Sequence, residues 1–102
     1  ALCAFFAALG MRDLGPYGSE GILELRGGTH LLLIGGAARV RGKDAPFDLM
    51  VDDLRATRAR LAAGGLVVSR VRRNPFHRYV TLTAPSGHIV TLHDSHVNGR
   101  PV

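Results

Sequence analysis

The chain has 102 residues, 46% of them apolar and 21% charged, enough for one globular domain with its own core and too mixed for disorder. Its apolar runs, Leu31–Ile34 among them, are far too short to span a bilayer, and the single cysteine excludes an intrachain disulfide. The formal charge of +5 raises nucleic-acid binding as a function class to be weighed.

Taken in chain order, Leu2, Phe5, Phe6 and Leu9 fall on one apolar stripe, which predicts a helix over Leu2–Leu9 stopped by Gly10. Ala1–Gly10 lacks a basic start and is read as this amphipathic helix rather than a signal peptide. Cys3 sits on it and is read as a small core hydrophobe, not a nucleophile. Strands are predicted at Ile22–Leu25 and His30–Ile34. Glycine, small residues and charge without periodicity mark Gly35–Lys43 as the linker between units.

A second series follows. Phe47–Val51 alternates as a strand, Asp52 and Asp53 cap a helix over Leu54–Ala63, and Gly64-Gly65 ends it. Leu54, Thr57 and Leu61 repeat the first stripe in weaker form, with Arg58 where Phe6 stands. Strands are predicted at Leu66–Val71, Tyr79–Thr83 and Ile89–His93, the last two joined by the turn Ala84-Pro85-Ser86-Gly87. The order strand, helix, three strands therefore occurs once fully and once without its first strand. Two such units would make a cleft, and clefts bind small molecules.

Alternation assigns faces. Phe47, Leu49, Val51, Val90, Leu92, Leu31 and Leu33 should face the helices. Asp48, Met50, Ile89, Thr91, His93, His30, Leu32 and Ile34 should face away, on a mixed surface suited to a cleft wall. The ligand-lining residues expected from this are His30, Leu32, Asp48, Met50, Tyr79, Thr91 and His93. The arginines at 55, 58, 60, 70, 72 and 73 lack an aromatic stacking pattern or a nucleic-acid motif. They are read as a solvated helix face and an exposed hairpin, not as a nucleic-acid surface.

Three segments carry a family resemblance. Phe5-Phe6-Ala7-Ala8-Leu9-Gly10-Met11 resembles a helix end of the vicinal oxygen chelate superfamily, which includes glyoxalase I, extradiol dioxygenases, and bleomycin and fosfomycin resistance proteins. Phe47–Gly64 resembles that family's second strand and helix, and Ala84–Val90 its final turn and strand, with Ala and Ser in place of two aspartates. The resemblance implies an α+β fold of paired βαβββ modules forming a curved mixed sheet around a cleft. Module one would cover 1–36 without its first strand, a linker 37–45, and module two 46–102 of a single glyoxalase-like domain.

The resemblance also implies one divalent metal held by His and Glu side chains. Mapped onto this chain, the ligand positions fall at Leu32, near Pro46 and at Thr91, none of them a good ligand. Two residues away, with the same parity, stand His30, Asp48 and His93, a set able to hold Fe, Ni, Zn or Mn. The expected function is small-molecule binding of the bleomycin-resistance type with a degenerate metal site and no cofactor. The alternative is a metal-dependent lyase, isomerase or dioxygenase. His77, at a hairpin tip, and His88, after the turn glycine, are expected to be exposed. His96 lies in a tail, Asp94–Gly99, that resembles the ending of uncharacterised superfamily members and is read as a terminal cap. A cytosolic homodimer with a small organic partner, and no membrane partner, completes the expectation.

Overall fold

The computed structural model describes residues 2–17, 20–26, 28–33 and 42–94. Ile34, linker residues 35–41, and the tail residues beyond Asp94 with His96 lie outside the described residues. The fold is α+β, with two helices, a three-stranded sheet and a four-stranded sheet among the described residues. The chain divides into two compact units, 1–40 and 41–102. No described helix is long and apolar enough to cross a membrane.

In the first unit, helix α1 (Leu2–Ala8) precedes strands β1 (Arg12–Tyr17), β2 (Glu20–Glu24) and β3 (His30–Leu33). The strands pair antiparallel in the order β1-β2-β3. The apolar stripe predicted for α1 is its buried face: Phe5, Phe6 and Leu9 are buried with Met11 and Leu23, and the Phe5 and Phe6 rings meet edge to face at 5.2 Å. Gly21 lets the helix approach β2, since a methyl group there would lie 2.7 Å from the Cys3 sulfur.

In the second unit, β4 (Asp44–Met50) leads into α2 (Leu54–Ala63), followed by β5 (Arg72–Arg73), β6 (Arg78–Thr83) and β7 (Ile89–His93). The sheet order is β4-β7-β6-β5, with β4 parallel to β7 and the other pairs antiparallel. Asp53 caps α2 as predicted, its carboxylate accepting the Ala56 N–H at 3.0 Å. Leu54 and Leu61 from the helix, with Val80, Leu82, Val90 and Leu92 from the strands, are buried in this unit.

Both helices stop on the same hydrogen bonds. In α1, Gly10 N–H donates to the Ala7 carbonyl and Met11 N–H to that of Phe6; in α2, Gly65 N–H donates to Ala62 and Leu66 N–H to Leu61. Gly10 and Gly65 take the left-handed conformation (φ 113° and 92°) that this closure requires. The caps thus match Phe6 with Leu61, not with Arg58 as the sequence stripes suggested. In α2 the left-handed residue is Gly65, while Gly64 stays at φ −79°.

Three strand expectations are corrected. Strand β1 went unpredicted because it contains Gly15 and Pro16; it is an edge strand with an irregular register between Asp13 and Pro16, where proline is tolerated. Likewise β4 begins at Asp44 rather than Phe47, and it too is an edge, with Pro46 exposed on it. The alternating run Leu66–Val71 is not a strand: Ser69 N–H donates to the Thr81 carbonyl at 3.0 Å, but strand pairing is confined to Arg72–Arg73. Ser69 shows why: its carbonyl accepts Arg58 Nε at 2.8 Å, and its hydroxyl, in place of a carbonyl, accepts the Thr81 N–H at 2.9 Å.

Candidate functional site

Cross-strand partners share a face, so the register itself shows which side chains are neighbours. In the second sheet Val80, Leu82, Val90 and Leu92 are buried, as alternation predicts. The opposite face carries one row across all four strands: Met50, His93, Tyr79 and Arg72. Beside it runs a second row, Asp48, Thr91 and Thr81. Five of the seven expected residues, Asp48, Met50, Tyr79, Thr91 and His93, therefore share this face. Met50 is 61% exposed, a large apolar side chain open on this face.

The hairpin between β5 and β6 brings a further residue to this face. Asn74 Oδ1 accepts the N–H groups of Phe76 and His77 at 2.8 and 3.0 Å, which shapes the tip. His77, expected to be exposed, is instead half-buried, its ring stacked on His93 with centroids 4.3 Å apart and planes 13° from parallel. Its place on β6 parity with Tyr79 is the signal that could have revealed this. His93 Nδ1 lies 2.9 Å from the Asp94 carbonyl oxygen. A carbonyl only accepts, so Nδ1 carries the proton and the neutral ring has its lone pair on Nε2.

Asp94 secures the end of β7 behind His93. Its carboxylate accepts from the Arg78 backbone N–H at 2.9 Å and from Arg78 Nε at 2.8 Å. Burial alone would raise the Asp94 value, but the hydrogen bonds and charge of Arg78 outweigh it and leave the carboxyl below its ordinary range.

The two remaining expected residues lie on β3. Leu32 is in register with Ile22, and His30 with Glu24. The exposed His30 Nε2 lies 3.2 Å from Glu24 Oε2, and Arg12 stands 3.7 Å from the other Glu24 oxygen. His30 therefore meets a carboxylate. No arginine pairs with Asp48 among the described residues, whereas His88, expected to be exposed, is half-buried and meets the Ser86 hydroxyl at 2.9 Å.

The metal implied by the fold is tested by these donors. Leucine at 32 and proline at 46 offer no ligand atom, and Thr91 supplies only a hydroxyl, so the mapped positions do not fit a divalent ion. Among the described residues, no group of three or more His, Cys, Asp or Glu is placed to hold one.

No family model and no curated protein matches the chain. Solved structures do. TnmS3, an antibiotic-binding protein from a Streptomyces species, is 23% identical, with 91% of this chain and 83% of that one covered and a TM-score of 0.72. A glyoxalase/bleomycin resistance protein from Catenulispora acidiphila is 21% identical over 93% of this chain and 86% of its own, with a TM-score of 0.70. Lactoylglutathione lyase from Agrobacterium tumefaciens is 19% identical over 97% and 87%, also at 0.70. The chain has the vicinal oxygen chelate fold shared by these proteins.

Proposed function

We propose that this chain binds a small organic molecule against the face of its second sheet that carries Met50, His93, Tyr79 and Thr91, and that it does so without a metal centre. The observation that carries the reading is the row of planar and polarisable side chains registered across four strands, left uncovered by α2. Such a surface suits a flat molecule: burial of apolar area supplies the attraction, and Tyr79, Thr91 and His93 supply a few directional hydrogen bonds. That one structural neighbour is an antibiotic-binding protein supports the same choice. In this reading the chain sequesters its ligand and performs no chemistry on it. A cytosolic homodimer stays part of the proposal.

Calorimetric titration with bleomycin and a panel of flat aromatic antibiotics tests this. The expected result is saturable binding of at least one compound, weakened about tenfold or more by Tyr79→Ala or His93→Ala, as for truncation of a stacking aromatic anchor. Absence of saturable binding across the panel overturns the reading.

The second reading is a metal-dependent lyase, isomerase or dioxygenase with His93 as a metal ligand, although the His30, Asp48 and His93 set is not gathered to hold an ion among the described residues. The one observation in its favour is that His93 Nδ1 is held by a backbone carbonyl, an arrangement that orients a ligating imidazole. Metal retained after incubation with Fe, Ni, Zn or Mn, and lost in His93→Ala, would support it. Protein that stays metal-free with each ion ends it.

A further inference from the structure

We infer that the ligand of this face is anionic at one end and that Arg72 is its anchor; the inference rests on the binding reading above. Arg72 is in register with Tyr79, which is in register with His93, so its side chain belongs to the same face as those two. It is exposed and has no acidic partner among the described residues. Its neighbour Arg73 is in register with Arg78 and so belongs to the other face. Arg78 is itself committed to Asp94. One uncommitted guanidinium is therefore set at the β5 edge of the candidate surface.

The opposite edge carries the opposite charge. Asp48 stands on β4, three strand spacings from β5, or about 14 Å away across the sheet. Between the two edges lie the imidazole of His93, the phenol of Tyr79, and the hydroxyls of Thr81 and Thr91. A carboxylate, sulfonate or phosphonate placed on this surface is drawn to Arg72, whose planar fork pairs with such groups in two-point contact. Asp48 repels the same group. The field along the row therefore orients the molecule, with its anion at β5, its arene over Tyr79 and His93, and its apolar end toward Met50. Arg72 and Arg73 are adjacent in a run of arginines, and only the register separates their faces.

Two dyes that share an arene test the inference. 8-Anilinonaphthalene-1-sulfonate carries a sulfonate, and N-phenyl-1-naphthylamine is the same framework without it. Fluorescence titration of the wild type should show the sulfonate dye binding more tightly than the neutral one. Arg72→Gln should weaken the sulfonate dye about fivefold, the effect of one partly exposed charge pair, and leave the neutral dye unchanged. Arg73→Gln removes the same net charge from the other face and should change neither. Asp48→Asn should tighten the sulfonate dye and leave the neutral dye unchanged; weaker binding of the sulfonate dye overturns the stated orientation. Equal losses in Arg72→Gln and Arg73→Gln would show a bulk charge effect and overturn the anchor. Equal affinity of the two dyes, insensitive to Arg72→Gln, overturns the anchor while binding on this face stands. If neither dye binds, the underlying binding reading fails with it.

Discussion

In the first unit, the sheet face turned from the helix carries Glu24 between Arg12 and His30, so the carboxylate meets a guanidinium and an imidazole across three strands. In the second unit the corresponding face carries Met50, His93, Tyr79 and Arg72, and Arg72 has no acidic partner among the described residues. Yet the helices of both units close on the same pair of hydrogen bonds around a left-handed glycine. Backbone devices needed to fold a repeat recur in both copies, while the exposed sheet faces differ. On the proposed reading the difference bears on binding: a face whose charged groups meet one another gains little from a charged ligand, and one that presents the Arg72 guanidinium has something to offer.

Four changes break or sharpen this comparison. The largest expected effect is Leu61→Ala, which removes a side chain only 2% exposed from the second unit; urea unfolding should show a loss of about 2–5 kcal/mol. Next is Gly21→Ala in the first unit. The new methyl would sit 2.7 Å from the Cys3 sulfur, at a cost of about 1–3 kcal/mol, and Cys3→Ala in the same chain should recover part of it. Gly10→Ala and Gly65→Ala should then cost similar amounts, each about 1–2 kcal/mol, because both occupy the left-handed region at equivalent cap positions. Widely different costs would break the equivalence of the two helix ends.

The smallest effect is that of pH through Asp94. Its value is lower in the folded chain than its ordinary 3.8, so its contribution is complete above 3.8 and disappears as pH falls through the lowered value. Asp94→Asn should therefore flatten the acid limb of the stability curve and leave the neutral region's slope unchanged. Arg78 is partly exposed, so the change is modest.

Much of this fold was legible before any coordinates. Helix α2 runs Leu54–Ala63 and β7 runs Ile89–His93, as spacing and turn residues predict, and the face assignments of Asp48, Met50, Thr91 and His93 follow from strict alternation. The elements that escaped were edges. Proline in β1 and β4 reads as a break, but an edge strand has one row of N–H groups that need no partner. Leu66–Val71 erred in the other direction, since local alternation says nothing about Arg58 capturing the Ser69 carbonyl from α2. At the site, residues on one strand were legible and their neighbours across strands were not. His77 on His93 and Arg72 beside Tyr79 depend on register, which the chain does not state.

Amide chemical-shift mapping is the measurement that bears most directly on the binding face. Isotope-labelled protein is titrated with 8-anilinonaphthalene-1-sulfonate. Saturable shifts should concentrate on Asp48, Met50, Arg72, Tyr79, Thr91 and His93. Shifts that fall instead on α2 or on the Arg12, Glu24 and His30 row, with the β4-β7-β6-β5 face silent, contradict the account.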